Sequence, residues 1–310
     1  MLLLTKTVIA LMAGFLVSTF LGFLIVPLLK ELRLGQKIST YVGTTHKKKE
    51  GTPTMGGLIF ILGSLLTIAY LIFAKKIDYT ANLGIVLLVF IGFIDDLLSV
   101  KKGNNEGLTI YQKLFMQVII AIGFFFIYMR SGGQTSLAVA TLGIDIEMKW
   151  LYGIFILFVL VGSSNSVNLT DGLDGLAGGL SAIAFVAFSL ISLTVGFEEI
   201  GIFLMVLAGS LLGFLMFNHN PAKVFMGDTG SLALGGVMGT VAILTHREIT
   251  LLVVASLFVI ETLSVILQNL WVIIFRRKLF LMTPIHHHFE KIGWEERDIV
   301  NMFWIAGVIV

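Results

Sequence analysis

The sequence contains no cysteine, which excludes disulfides, thiolate nucleophiles and cysteine–zinc sites. Charge is scarce as well. Only 13% of the 310 residues are charged, about half the usual quarter. The basic and acidic residues nearly cancel, 21 against 19, for a net charge of +2, so a bulk electrostatic case for nucleic-acid binding fails. Repeats and low-complexity tracts are missing too. What fills the chain is apolar: 57% hydrophobic residues and a mean hydropathy of +0.98. That excludes a soluble domain or a disordered chain and describes an all-α polytopic membrane protein.

A spanning helix takes about 20 residues, so ten spans would use about 200 and leave room for one site but no second soluble domain. Apolar runs lie at roughly residues 7–29, 55–73, 81–98, 113–129, 150–166, 176–195, 200–217, 230–245 and 249–275, with a tenth begun at 299–310. Residues 1–310 are therefore expected to form a single integral-membrane domain of about ten helices. The tenth run stops inside an apolar stretch, which predicts that its end is missing. The first run is too long for a signal-peptide core and lacks a small-residue cleavage pattern, so it reads as a retained helix. The ninth, at 27 residues, is about 40 Å long against a core of roughly 30 Å, so it should tilt or break. Residues 131–149 alternate weakly and contain Gly132-Gly133, which suggests a small hairpin.

Ten spans place 15 of the 21 lysines and arginines on one side, the side of residues 30–54, 95–113, 163–175, 218–229 and 276–298. By the positive-inside rule that side is cytoplasmic and the N-terminus lies outside. Twelve of the 19 carboxylates and five of the six histidines share it. A transporter would gather ionisable groups near the bilayer midplane instead. One-sided clustering at the water interface favours an enzyme that joins a cytosolic substrate to a lipid. An ion-coupled carrier or lipid flippase is the rival from another class.

Five segments on that side carry the chemistry. In IGFIDDLLSVKKG, Asp95 and Asp96 end an apolar helix, where paired carboxylates are costly unless solvated, paired or bound to a cation. Consecutive helical residues point about 100° apart, so both share one task only if the helix ends there. In VNLTDGLDGLAGG, Asn168, Asp171 and Asp174 are spaced three apart among glycines that let backbone approach a ligand or another helix. Such groups hold a hard cation or bond the edge of a base and sugar hydroxyls. In NHNPAKVFMGDTGSLALGG, Asp228 precedes an apolar run, which makes it either an N-cap or part of a diphosphate site with magnesium. Phe225 can stack on a base or pack against the membrane. In MTPIHHHFEKIGWEERD, His286, His287 and His288 cannot all converge on one metal from one helix, so phosphate donation or proton carriage fits them better. In THKKKEGTPTMGG, Lys47, Lys48 and Lys49 either anchor the helix end or bind phosphate, and Pro53 with Gly56 and Gly57 suggests a fixed turn and close helix packing. A polar stripe on the ninth run, Glu261, Ser264 and Gln268, should face other helices or a wet cavity rather than lipid.

Together these segments resemble the polyprenyl-phosphate N-acetylhexosamine-1-phosphate transferase superfamily, through Asp95-Asp96, NLTDGLDG and FMGDTGS. TPTMGG and PIHHHFE are similar to its phospho-N-acetylmuramoyl-pentapeptide transferase branch. The resemblance runs from Thr45 to near the C-terminus. It implies transfer of phospho-N-acetylmuramoyl-pentapeptide from UDP-N-acetylmuramoyl-pentapeptide to undecaprenyl phosphate in a bacterial cytoplasmic membrane, giving lipid I and UMP, by a homodimer. It also implies Mg2+ on Asp228 and Asn168, with Asp95, Asp96 and Asp228 catalytic. Asp171, Gly172, Leu173, Asp174, Asn218 and Phe225 would line a uridine pocket. Lys48, His286, His287 and His288 would lie near nucleotide or phosphates. A transferase using UDP-N-acetylglucosamine is the nearest alternative. A phosphate monoester has a second pKa of about 6, so the lipid phosphate is largely dianionic at pH 7 and can attack directly. Direct attack with Asp95 as base is the preferred route; an Asp nucleophile and a phospho-enzyme remain the rival.

Overall fold

The computed structural model describes residues 2–32, 51–73, 108–139 and 143–310. The expected span at 81–98, Asp95, Asp96 and Lys48 lie outside them.

The described chain is a helical, polytopic membrane protein. Its helices are α1 (Leu2–Glu31), α2 (Gly57–Phe73), α3 (Ile110–Arg130), α4 (Leu151–Thr170), α5 (Leu176–Thr194), α6 (Glu198–Asn218), α7 (Gly227–Leu244), α8 (Glu248–Val254), α9 (Ser256–Phe275), α10 (Ile285–Lys291) and α11 (Glu296–Ile309). Seven of them (α1, α3, α4, α5, α6, α7 and α9) are long and apolar enough to cross a membrane. The apolar α2 has 17 residues and α11 has 14. The 27-residue run is interrupted at Ala255, which separates α8 from α9. The 20 residues of α9 then match the bilayer core, since 20 residues rise about 30 Å. Between α3 and α4 the expected hairpin forms from β1 (Ser136–Val139) and β2 (Ile144–Glu147), antiparallel, with Ser136 opposite Glu147.

The centre of the bundle is α6 and α7, apolar on all sides and buried over most of their length. Lipid tails are as apolar as leucine, so helices in a membrane associate largely by close packing of small residues. That is how α1 meets α6: a Cβ added to Gly209 would lie 2.0 Å from the Leu11 carbonyl oxygen, and one on Gly14 would lie 2.3 Å from that of Val206. The α4–α7 crossing repeats the device at Gly235, where a Cβ would come 2.2 Å from the Ser163 carbonyl oxygen. At the end of this crossing α4 terminates and α7 begins, and the polar motifs collect there.

Candidate active site

Asp228 stands in the first turn of α7, where the helix dipole favours negative charge. The Asn168 amide, in the last turn of α4, donates to Asp228 Oδ1 (2.8 Å) and to Ser231 Oγ (2.9 Å). The ammonium of Lys113, in the first turn of α3, pairs with Asp228 Oδ2. Both members of this pair are partly open, 24% and 21% exposed. The start of α3 is fixed by a capping box between Thr109 and Gln112. One turn deeper, Asn165 Nδ2 donates to Gln117 Oε1 (2.9 Å), tying α3 to α4. Lys113 is the residue that motif reading missed. Its signal was weak but present: Lys113 and Gln117 are four apart on an otherwise apolar helix, one face of which must be polar.

Asp171 caps α4 one turn beyond Asn168 and opens the glycine-rich loop. The loop is braced from several sides. Asp174 Oδ2 accepts from Asn220 Nδ2 (3.2 Å) and from the Ala222 backbone (3.0 Å), while the Asp174 amide donates to Glu296 Oε1 (2.7 Å). Asn218 accepts from the Gly175 amide (3.1 Å) and donates to the Val224 carbonyl (3.0 Å). Leu173 is buried in the core. Gly175 takes φ +83°, the left-handed turn from which α5 starts, a conformation that favours glycine.

Backbone pairing brings a second motif alongside. Phe225 N–H donates to the Pro53 carbonyl (2.8 Å), and the amides of Gly56 and Gly57 donate to the carbonyls of Phe225 (2.8 Å) and Met226 (2.9 Å). TPTMGG thus lies against FMGD, with Gly57 packed on Gly230 as the glycine pair suggested; a Cβ on Gly57 would lie 2.5 Å from the Gly230 Cα. Phe225 is half-buried.

The histidines form α10, which packs between α9 and α11. His286 is fully buried, with Nδ1 3.1 Å from Glu261 Oε2. Its Nε2 presses on the glycine-rich loop: a Cβ on Gly172 would come 2.3 Å from it. His287 pairs with Glu290, and His288 Nδ1 accepts from the Leu281 amide (3.2 Å). The three rings have three different partners. Among the described residues no group of three or more histidines and carboxylates gathers as a metal would require.

Burial pushes the His286 imidazole below its ordinary pKa, and the Glu261 carboxyl opposes that shift. The unfolded chain takes up a proton at His286 as pH falls through about 6.5, while the folded chain still resists it. The stability involved is present above that pH and is lost as pH falls on through the folded value. Purified wild-type protein is therefore expected to lose more unfolding stability between pH 7.5 and 5.5 than His286→Asn. Equal losses would show that His286 does not govern the acid side.

Comparison with known proteins decides the family. The glycosyl transferase family 4 profile matches residues 79–246, and phospho-N-acetylmuramoyl-pentapeptide-transferase signature 1 matches residues 49–61. The chain is 45% identical over 307 residues to the phospho-N-acetylmuramoyl-pentapeptide-transferase of Geobacillus thermodenitrificans, covering 97% of this chain and 94% of the relative. It is 43% identical over 304 residues to that of Bacillus subtilis, covering 96% and 93%. With that of Oceanobacillus iheyensis it shares 43% identity over 314 residues, covering 99% and 96%.

The chain belongs to the phospho-N-acetylmuramoyl-pentapeptide-transferase family. For a member of this family the meeting of FMGD, NLTDGLDG, TPTMGG and the histidine helix at one end of the bundle delimits the candidate active site. It lies where α2, α3, α5 and α7 begin and α4, α6 and α9 end.

Proposed function

We propose that this chain transfers phospho-N-acetylmuramoyl-pentapeptide from UDP-N-acetylmuramoyl-pentapeptide to undecaprenyl phosphate, releasing UMP and forming lipid I in peptidoglycan synthesis. The observation that carries the reading is the Lys113–Asp228–Asn168 cluster beside the braced glycine-rich loop, in a member of this family. An oxygen of the lipid phosphate forms a bond to the sugar-bearing phosphorus as that phosphorus loses its bond to the bridging oxygen, which departs with UMP. Joining two anions needs cationic donors at the transferring group. The Lys113 ammonium, held by Asp228, supplies one, and Asn168 keeps Asp228 in place through its amide. Asp95 takes the residual proton of the lipid phosphate and positions it.

The donor set suits magnesium. Asp228 offers a carboxylate oxygen, and Asn168 would offer its carbonyl oxygen once its amide, which here presents nitrogen to Asp228 Oδ1, is turned; Mg2+ commonly uses only one or two carboxylates plus substrate phosphates and water. The Lys113 ammonium on Asp228 Oδ2 shows that this carboxylate attracts cations. Bound there, the ion would neutralise charge on the diphosphate.

In this reading ten spans cross a bacterial cytoplasmic membrane with the N-terminus outside and the site at the cytoplasmic face. Its support is the bias of basic residues and the gathering of every described site motif at one end of the helices. A homodimer is expected from the resemblance alone.

The test is incorporation of labelled muramoyl-pentapeptide nucleotide into an organic-extractable product, with and without chelator. Magnesium-dependent product and stoichiometric UMP are expected, with little UMP from UDP-N-acetylglucosamine. Preference for that second nucleotide, or lipid transport without nucleotide, would replace the reading. Trapping a labelled Asp95 adduct with the UDP substrate alone would overturn direct attack.

A further inference from the structure

The polar stripe of α9 is not used by the chemistry above, yet it is buried at considerable cost. Much of α9 is exposed as lipid-facing apolar surface, including Ile260, Leu263, Ile266, Leu267 and Leu270. Its opposite edge carries Glu261, Ser264 and Gln268, all buried. An ionisable side chain in a spanning helix is expensive, and a leucine of similar size would stabilise the helix better. The stripe is therefore held for something other than stability.

Its contacts show what it holds. Gln268 Oε1 accepts from the amides of Leu279 (3.0 Å) and Phe280 (2.9 Å), and its Nε2 donates to the Phe280 carbonyl (3.1 Å). About two helical turns away, Glu261 Oε2 lies 3.1 Å from His286 Nδ1 and 3.5 Å from the His286 backbone nitrogen. The segment entering α10 is thus gripped at both ends by one helix edge. Both ring nitrogens of His286 are buried without a fully formed hydrogen bond, but Nδ1 faces Glu261 Oε2 at 3.1 Å while Nε2 abuts Gly172. A carboxyl oxygen at Nδ1 draws the ring proton to that side and leaves Nε2 bare.

We infer that Glu261, with Gln268 as its second grip, is a positioning residue that seats His286 against Gly172 and so sets affinity for the nucleotide sugar without touching it. The inference rests on the reaction proposed above, because it takes the glycine-rich loop as the nucleotide site. Glu261 acts through one ring orientation and one tautomer. A loop displaced by about 1 Å would bind its nucleotide poorly.

Three measurements on the full-length protein test it. Glu261→Leu is expected to raise KM for the UDP substrate roughly 10- to 100-fold, with KM for the lipid phosphate unchanged. Glu261→Gln keeps an oxygen able to accept from Nδ1–H and should restore most of the nucleotide affinity. Nitrogen-15 spectra of histidine-labelled wild type should show His286 as the neutral Nδ1–H tautomer, assigned by its loss in His286→Asn. A KM rise shared by both substrates, a Gln variant as impaired as the Leu variant, or a wild-type ring protonated at Nε2 would overturn the inference. The spectrum needs no catalysis, so it decides the grip even if Glu261→Leu does not fold. If the wild type fails to release UMP from the muramoyl nucleotide, the proposed reaction fails separately.

Discussion

Replacing Asp228 by asparagine is expected to cut turnover by roughly 10²- to 10³-fold while the protein still inserts, purifies and unfolds like the wild type. The change is nearly isosteric, and the contact with the Asn168 amide can survive through the remaining carbonyl oxygen. What disappears is the charge that holds the Lys113 ammonium. In the proposed mechanism an uncompensated lysine would swing away from the transferring phosphoryl group, and a divalent ion bound there would lose its carboxylate. The pair is only partly buried, so the stability lost is small next to the activity lost. Lys113→Gln should produce a loss of similar size, because the two residues act as one unit. The double variant should then be little worse than either single variant, since groups acting together are strongly non-additive. Rates of lipid-product formation for the four proteins measure this. Multiplicative losses would show that Lys113 and Asp228 serve separate steps, and normal turnover by Asp228→Asn would remove Asp228 from the site.

The second large effect is structural and sits two turns away. Gly235→Leu is expected to destabilise the bundle by about 1–3 kcal/mol or more and to abolish measurable activity. At Gly235 the α7 backbone lies so close to α4 that even a Cβ would come 2.2 Å from the Ser163 carbonyl oxygen, and on Gly239 it would come 2.6 Å from Ser163 Oγ. Backbone cannot retract as a flexible side chain can, so α4 must move. The same crossing carries the Ser164 hydroxyl bond to the Leu232 carbonyl (3.1 Å) and ends at the Asn168–Asp228 contact. Pushing the helices apart therefore breaks the site before it unfolds the protein. Thermal unfolding in detergent and product formation, compared for Gly235→Ala and Gly235→Leu, should fall in that order. Full activity in the leucine variant would show that the α4–α7 crossing does not set the site.

Apolar run length made the helices readable, because a spanning segment must satisfy its own backbone and announces itself as a long apolar stretch. The bounds of α5, Leu176–Thr194, agree with the run at 176–195 to within a residue. A tilt or a break in the ninth run followed from arithmetic, since 27 residues exceed the bilayer; that it is a break, at Ala255, only the structure shows. The hairpin followed from weak alternation within residues 131–149, although the glycine pair precedes β1. Asn168, Asp171, Asp228 and the histidines were legible because polar groups beside apolar helices are costly and stand out against a depleted background. Lys113 did not stand out, since a lysine at a helix end also reads as an ordinary interfacial anchor.

Composition and order along the chain thus determined a helical membrane enzyme with its described site motifs at one end of the helices. Partnership was decided only in three dimensions. Nothing in the spacing of 115 residues between Lys113 and Asp228 indicates that they meet, nor that Glu261 reaches His286 or Pro53 pairs with Phe225. Those encounters depend on which small-residue faces let two backbones approach, and contact between helices remote in sequence is a property of packing rather than of any local period.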